Sequence, residues 1–310
     1  MKRVLVPLDG SDFAEQALDP GVALAIRDGA EIHLLSVVST EPPIPLTFAD
    51  PALLGGWVDE EGARKQAYIE RTAAGVAARA GGCGVEAHVR VGRVDAIIRE
   101  VAEEFDVDLV VATTHGRGAF QRVWLGSTAD RLLRSLERPL LLLPPTPAGA
   151  DRFAEAQIRH VLVPLDGSKA AEAALDVLPL VLPGSEGVRL TLATVVEEGF
   201  ALPAAYLPHA VSEESVRDER RKKAAAYLAA TSQRVEGDGL GAPETHVLTA
   251  DSAAHGLLRY CKEADVDMIA LSTHGRSGVS RFAVGSVADK LVRGAGIPVL
   301  VIRRPSDESP

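Results

Sequence analysis

The sequence predicts two successive α/β domains, each built around a mostly parallel β-sheet. Short apolar runs alternate with helical patterns along the 310 residues, and this order indicates β-α-β units. Residues 2–11 return almost unchanged as residues 159–168, a shift of 157 positions. The His-Gly pair at 115–116 and the apolar run at 139–143 both return 159 positions later. An offset that stays this constant along the chain indicates a duplicated domain.

In the first domain, apolar runs and helical periodicity alternate between turn signals. Ser11 precedes the first helical pattern and is a candidate N-cap. The many prolines of residues 41–58 predict a long loop or lid. The predicted strands are residues 3–8, 31–38, 85–91, 109–112 and 140–143, and the predicted helices are residues 12–27, 60–80, 94–104 and 128–136.

The second domain repeats this order. Its predicted loop at 197–208 is followed by a charged helix at 212–231, and further on by a strand at 268–271, a helix at 287–292 and a strand at 298–302. The predicted domain limits are residues 1–144 and 158–304, with a proline-rich linker at 145–157 and a polar tail at 305–310.

Composition excludes several classes of protein. With 46% hydrophobic and 25% charged residues, the chain has the composition of a soluble globular protein. A formal net charge of −10 disfavours a broad nucleic-acid-binding surface. The two cysteines are far apart, which suits a reducing compartment. We find neither a signal peptide nor an apolar run long enough to span a membrane, and we expect a cytoplasmic protein without membrane or nucleic-acid partners.

A loop motif follows the fourth predicted strand of each domain. It begins with small polar residues and a His-Gly-Arg triplet, and it ends with a Gly-Ser pair that opens a helix. Nine residues separate the glycine of the triplet from the glycine of the pair in both copies. Such an arrangement presents backbone N–H groups to an anion. The motif residues are His115, Gly116, Arg117, Gly126 and Ser127 in the first copy, and His274, Gly275, Arg276, Gly285 and Ser286 in the second.

Ligands of open parallel sheets bind beyond the carboxyl ends of the strands, where the strand order reverses. Asp9 and Asp166 follow the first strand of each domain, and their carboxylates could accept hydrogen bonds from ribose hydroxyls. Val37 and Val195, near the end of the second strand, could form an apolar wall for a base. Together with the anion-binding loops, these residues predict a nucleotide pocket in each domain.

Each of these residues also has a purely structural interpretation. Ser127 and Ser286 could be N-caps, and the two aspartates could tighten the turn before the first helix. His115 and His274 are more typical of turn-stabilising residues than of bases, and the two arginines could be solvated. The occurrence of the whole set twice favours the functional interpretation.

Motifs of several enzyme classes are missing from the sequence. The chain contains no G-x-x-x-x-G-K-[ST] phosphate loop, no G-x-G-x-x-G after the first strand and no G-x-S-x-G nucleophile elbow. It shows no His and Cys cluster with the spacing of metal ligands. We therefore predict no catalytic residue and no metal ligand.

With these residues placed, the chain resembles the universal stress protein (UspA-like) family in its tandem two-domain form, over nearly the whole length. The resemblance rests on Val-Leu-Val-Pro-Leu-Asp-Gly-Ser at both domain starts, Thr-His-Gly-Arg in both loops, the later Gly-Ser pairs and the closing apolar strands. The ATP-binding branch of this family carries G-x-x-G, nine residues and G-[ST]. Here Thr113 and Ser272 replace the first glycine. Both are small, so we expect ATP binding to survive.

The resemblance implies a fold and a set of ligand contacts. Each domain is expected to be an open five-stranded parallel sheet of order 3-2-1-4-5 with helices on both faces, like the adenine nucleotide α hydrolases. Pro7, Asp9, Val37 and Ala112 would surround adenosine in the first domain, and Pro164, Asp166, Val195 and Leu271 in the second. The full expected set is Pro7, Leu8, Asp9, Val37, Ala112, Thr113, His115, Gly116, Arg117, Gly126, Ser127 and Thr128 in the first domain, and Pro164, Leu165, Asp166, Val195, Leu271, Ser272, His274, Gly275, Arg276, Gly285, Ser286 and Val287 in the second.

The resemblance also implies a regulatory protein of the stress response that binds ATP, with Mg²⁺ held mainly by the phosphates. Pairing through the fifth strands would make the two domains an internal pseudo-dimer and would allow a homodimer. Two alternatives stay open: a slow ATP hydrolase, and a nucleotide-free interaction module with vestigial pockets.

Overall fold

The computed structural model describes residues 1–40, 51–114, 125–144, 158–182, 187–198, 213–237, 241–273 and 284–303. The chain divides into two compact units, Met1–Gln157 and Ile158–Pro310. The predicted linker at 145–157, the tail at 305–310, and residues 41–50 and 199–208 of the two predicted loops lie outside the described residues. Within the described residues, none of the helices combines the length and hydropathy that a membrane-spanning segment needs.

The first unit is a five-stranded parallel sheet with helices packed against it. Its strands pair in the order β3-β2-β1-β4-β5, and all the pairs are parallel. This confirms the predicted fold and strand order. The strands are β1 Arg3–Pro7, β2 Glu31–Ser39, β3 Val85–Gly92, β4 Leu109–Thr113 and β5 Leu140–Leu143, and the helices are α1 Asp12–Glu15, α2 Leu18–Asp28, α3 Pro51–Ala77, α4 Val94–Glu104 and α5 Ser127–Ser135.

The second unit repeats this topology. Its strands pair in the order β8-β7-β6-β9-β10, again all in parallel. A short 3₁₀ helix at Leu178–Leu180 follows the first helix. The strands are β6 His160–Pro164, β7 Arg189–Glu197, β8 Glu244–Ala250, β9 Met268–Ser272 and β10 Val299–Ile302, and the helices are α6 Lys169–Val177, α7 Glu213–Gly237, α8 Ala253–Glu263 and α9 Ser286–Gly294.

The central strands form the core of each unit. The side chains of Val4, Leu5 and Val6 in β1 and of Val110 and Val111 in β4 are all inaccessible to solvent. Strands that are buried on both faces read as continuous apolar runs rather than as alternating patterns. These runs were therefore recognisable in the sequence.

The predicted first helix, residues 12–27, was wrong as a single element, because α1 ends at Glu15 and α2 begins at Leu18. Pro20 explains the interruption. It has no N–H to donate to the carbonyl of Gln16, and its ring would clash there in a continuous helix. In α2 it lies in the first turn, where no intrahelical donor is needed. Ser11 caps α1 as predicted, since its side chain accepts a hydrogen bond from the N–H of Ala14.

The predicted loop at 41–58 was wrong for its second half, because α3 already begins at Pro51. Proline is favoured at the first position of a helix, where its missing N–H costs nothing. The prolines therefore indicated a helix start as well as a loop. The helix predicted at 212–231 likewise extends further, to Gly237.

Candidate functional site

The carboxyl ends of β1 and β4 meet at one edge of the first sheet. β1 pairs with β4 in parallel, with Val4 opposite Leu109 and Leu5 opposite Val110. Strand order reverses between these two strands, because β2 lies on the other side of β1. The second unit has the same arrangement, with Val161 of β6 opposite Met268 of β9. Each unit therefore has a switch point of the kind where α/β proteins bind ligands.

Asp9 forms a tight turn at the end of β1. Its Oδ1 atom accepts hydrogen bonds from the backbone N–H of Ser11 at 2.9 Å and from the Ser11 hydroxyl at 2.6 Å. Asp166 does the same with Ser168 at 2.9 and 2.6 Å. The turn-forming interpretation of both aspartates is thus realised in the structure. It does not compete with ligand binding, since an ionised carboxylate has about four acceptor sites on two oxygens.

The base of the motif loop is fixed in the same way in both units. The N–H of Gly126 donates to the carbonyl of Thr114 at 2.8 Å, and that of Gly285 donates to Thr273 at 2.8 Å. Thr114 also donates its N–H to Leu143 of β5, at 2.9 Å. The loop therefore leaves β4 and returns to the start of α5 at one point. His115, Gly116, Arg117, His274, Gly275 and Arg276 lie outside the described residues.

Glycines, not serines, cap the helices that follow the loops. Gly126 and Gly285 are the N-cap residues, with φ of −58° and −57°, and Ser127 and Ser286 are the first helical residues. The N-cap interpretation of the two serines is therefore wrong. Glycine suits the N-cap position because there is little room for a side chain: a Cβ atom on Gly285 would lie 3.1 Å from the carbonyl oxygen of Thr273. Within the described residues, no side chain caps either helix.

Ser127 and Ser286 are exposed at these helix starts, with the half-buried Thr128 and Val287 next to them. An acidic residue in the first turn of each helix is paired with an arginine one turn later. Arg134 Nε lies 3.0 Å from an oxygen of Asp130, and Arg293 Nε lies 3.0 Å from both oxygens of Asp289. These pairs reduce the negative charge close to the positive end of each helix dipole, which favours an anion there.

The predicted adenosine contacts differ in what they can offer. Val37, Ala112 and Leu271 are buried, whereas Val195, Pro7, Pro164, Thr113 and Ser272 are half-buried. The side chains of Leu8 and Leu165 are almost fully buried, each 3% exposed. Their backbone groups also have partners, since Leu8 donates to Leu35 and accepts from Ser36, and Leu165 donates to Ala193 and accepts from Thr194. Both leucines are therefore core residues.

A comparison with known families identifies the fold. The model of the universal stress protein family matches the chain twice, at residues 1–144 and 157–303. The chain belongs to the universal stress protein family.

Relatives with both domains span almost the whole chain. A universal stress protein of Mycobacterium tuberculosis is 26% identical over 305 residues, which cover 97% of each chain. One from Synechocystis is 25% identical over 320 residues, which cover 98% of this chain and all of the relative. The crystal structure of a universal stress protein from Archaeoglobus fulgidus matches with a TM-score of 0.71 at 19% identity and covers 98% of both chains. That structural match supports the shared fold.

One group of polar side chains in this universal stress protein was missed by the sequence analysis. His33 of β2 and Glu86 and His88 of β3 bring their side chains together in the first unit. Burial lowers the pKa of His33, which the carboxylates of Glu86 and Glu31 partly offset. Burial also lowers the pKa of His88, and the neighbouring His33 lowers it further. The Glu-x-His spacing on a strand was the only signal in the sequence, and the third member lies 53 positions before Glu86.

Proposed function

We propose that this universal stress protein binds ATP at two sites, one in each unit, and acts as a regulatory protein in the stress response. The proposal rests on how α5 and its counterpart α9 begin. Each helix begins at a glycine without a side-chain cap, beside the carboxyl end of the strand at the switch point. The first N–H groups of such a helix form a binding site for phosphate.

The phosphate end of the nucleotide is proposed to bind at the helix start. Gly126 and Gly285 allow the backbone to approach closely, and the exposed Ser127 and Ser286 add hydroxyl groups. The carboxylates in the first turn of each helix are paired with arginines, so they would repel a negatively charged triphosphate less than unpaired carboxylates would. Mg²⁺ would be held mainly by the phosphates. The motif loop, with Gly116, Arg117, Gly275 and Arg276, would complete this part.

The nucleoside end is proposed to lie over the ends of the first, second and fourth strands of each unit. Asp9 and Asp166 would accept hydrogen bonds from ribose hydroxyls while they hold their turns. Pro7, Val37 and Ala112 would contact the base in the first unit, and Pro164, Val195 and Leu271 in the second. Since Val37 is 7% exposed, it offers the base only a small surface.

ATP binding to the full-length chain tests this proposal. We expect calorimetry to show two sites per chain, and mass spectrometry of the purified protein to detect bound adenine nucleotide. A Gly126→Ala, Gly285→Ala double variant should bind ATP at least about tenfold more weakly, which corresponds to about 1.4 kcal/mol. A Cβ atom on Gly285 would lie 3.1 Å from the carbonyl oxygen of Thr273, so the helix start should shift in the second unit. Gly126 holds the same N-cap position in the first unit, and we expect the same effect there.

Gly75→Ala is the matched control for this substitution. It makes the same chemical change inside α3, where a Cβ atom would meet nothing within 4 Å. ATP affinity should be unchanged in this variant. If the double variant at Gly126 and Gly285 bound ATP as tightly as the control does, the loop would have no role in binding. If neither protein bound ATP, the interaction-module alternative would be favoured.

A further inference from the structure

The register between β2 and β3 brings three potential metal ligands together. His33 lies directly opposite Glu86, and Leu35 lies opposite His88. Since side chains two residues apart lie on the same face of a strand, Glu86 and His88 share one face. The three side chains converge, and their closest ligand atoms all lie within 4.8 Å of one another.

The nitrogen and oxygen atoms are arranged around one point. His33 Nδ1 lies 3.0 Å from His88 Nε2. The Oε2 atom of Glu86 lies 3.7 Å from His33 Nδ1 and 3.6 Å from His88 Nε2. Two ligand atoms that are each about 2.1 Å from a tetrahedral zinc ion are about 3.4 Å apart. The three observed separations bracket this distance, so one ion can reach all three atoms with small side-chain shifts.

The surroundings orient His33 as a ligand through Nδ1. Its Nε2 atom is buried and makes no hydrogen bond with the described residues, but it faces Glu31 Oε2 at 3.8 Å. Glu31 is itself held by Arg3 Nε at 2.9 Å. A metal-bound histidine typically directs its other N–H to a carboxylate of this kind, which fixes the tautomer. The ring of Phe105 packs against both imidazoles, with centroids 4.8 and 4.7 Å away.

The site is open to solvent on one side. His33 and His88 are buried, at 1% and 9% exposure, whereas the Glu86 side chain is 52% exposed. An ion can therefore enter past Glu86 without unfolding of the sheet. Three protein ligands leave a fourth position for water, as in open zinc sites.

In the described part of the second unit the corresponding set is incomplete, which provides an internal comparison. Glu244 and His246 of β8 correspond to Glu86 and His88, and their side chains also approach to 3.6 Å. The residue opposite Glu244 is Thr191, in the place of His33. Its hydroxyl lies 2.9 Å from the Nε2 atom of His160. The second unit thus keeps the glutamate and the histidine of β8. In the place of the other histidine it has Thr191, whose hydroxyl contacts His160.

We propose that His33, Glu86 and His88 of the first unit form a binding site for one divalent cation of the zinc class. Two imidazoles and one carboxylate are a donor set that suits Zn²⁺ and neighbouring transition metals, and does not suit Mg²⁺ or Ca²⁺. The ion would join β2 to β3 in their first halves. The site is separate from the proposed nucleotide site, which lies at the carboxyl ends of the strands.

Metal titration of the full-length chain, freed of metal by a chelator and kept without nucleotide, tests the proposal. We expect calorimetry to show one Zn²⁺ per chain at this site, and Co²⁺ to give the visible absorption of a low-coordinate nitrogen and oxygen site. Mg²⁺ should not compete. Glu86→Gln and His88→Gln should each weaken Zn²⁺ binding by at least about tenfold, since even outer-shell changes cost about 10–100-fold.

Glu244→Gln and His246→Gln are the matched controls in the second unit and should leave Zn²⁺ binding unchanged. Glu86 is exposed, so Glu86→Gln should fold normally and decides the question if His88→Gln does not fold. At one fixed Zn²⁺ concentration, the thermal unfolding midpoint of the wild type and of both controls should rise by equal amounts, and that of Glu86→Gln should rise by less. The proposal is overturned by an absence of Zn²⁺ binding, by an affinity that Glu86→Gln leaves unchanged, or by equal losses in the controls.

Discussion

A Cβ atom on Gly256 would lie only 2.9 Å from the Cβ of Ala250, so α8 and the end of β8 are in close contact at this point. In the first unit the glycine of the corresponding contact lies on the strand and not on the helix. Gly92 ends β3, and a Cβ atom there would lie 2.8 Å from the side chain of Ile97 in α4. The side chain that fills the space comes from the helix in one unit and from the strand in the other.

This exchange predicts that Gly256→Ala destabilises the second unit. The new methyl group meets another Cβ, which cannot rotate away, and overpacking of this kind costs about 1–3 kcal/mol. The higher helix propensity of alanine returns at most about 1 kcal/mol. Adding Ala250→Gly should recover most of the loss, because it removes the atom that is struck. Urea unfolding of the single and double variants measures the coupling, and independent effects of the two substitutions would contradict the prediction.

The shared hydrogen bonds of Asp166 and Ser168 allow the two roles of the aspartate to be separated. Ser168→Ala removes the helix cap and should cost about 1 kcal/mol of stability, with an ATP affinity close to that of the wild type. Asp166→Ala disturbs the same turn and should also weaken ATP binding at one of the two sites by about tenfold or more, as expected for a lost hydrogen bond to a charged group. Calorimetry measures both affinities. Equal effects of the two variants on ATP binding would mean that Asp166 only forms the turn.

Because of His160, we expect the free energy of unfolding to decrease at acidic pH. Burial lowers its pKa, the carbonyl of Ala264 opposes this, and the charge of Arg189 lowers the pKa further. The ring faces the cation closely, with Nδ1 2.8 Å from Arg189 Nη2, while the charges of Glu244 and Asp267 raise the pKa. The folded protein therefore binds this proton more weakly than the unfolded chain does.

It follows that the stabilisation by neutral His160 is complete above the unfolded pKa of about 6.5 and is lost as the pH falls below it towards the lowered folded pKa. Urea unfolding at about pH 7.5 and about pH 5 should show a smaller difference for His160→Gln than for the wild type. His255→Gln serves as the control, because His255 is exposed. If the free energy of unfolding of His160→Gln depended on pH as that of the wild type does, the neutral ring of His160 would not be the cause.

The elements were predictable where local pattern and tertiary burial agree. The helix at residues 94–104 was predicted with the limits that α4 shows, and β5 was also predicted with its observed ends. The strand order followed from the resemblance to a known fold. Two of the errors lay at prolines: Pro20 interrupts the first helix and Pro51 starts the third. Proline fixes φ and removes a donor, but the sequence does not show on which side of it the helix lies.

The candidate sites differed in how far the sequence could predict them. Asp9 and Gly126 could be predicted to lie at one edge of the sheet, because the carboxyl ends of neighbouring parallel strands meet there, so position along the chain gives position in the sheet. His33 and Glu86 were not found, because their meeting depends on the register between β2 and β3. Two strands of similar apolar content can pair in several registers until packing of one face selects among them.

Asp95 joins α4 to α5 in the first unit through an ion pair. This residue is 3% exposed, its carboxylate binds Arg93 through two hydrogen bonds of 3.0 Å, and Arg131 of α5 approaches it at 3.5 Å. Asp95→Ala should destabilise the protein by about 1–3 kcal/mol, as for other lost hydrogen bonds of charged groups. The cost stays in this range because both arginines are partly exposed, at 56% and 42%, and can return to water.

Arg131→Ala is the matched variant for this contact. It removes only the longer and more exposed ion pair, and should cost at most about 1 kcal/mol. A double-mutant cycle of Asp95 and Arg131 by urea unfolding should give a coupling that becomes smaller in about 1 M salt, where charges are screened beyond about 3 Å. A coupling of zero at low salt would show that Asp95 stabilises α4 alone, through Arg93. In that case the position of α5, and with it the proposed phosphate site at Gly126, would not depend on this carboxylate.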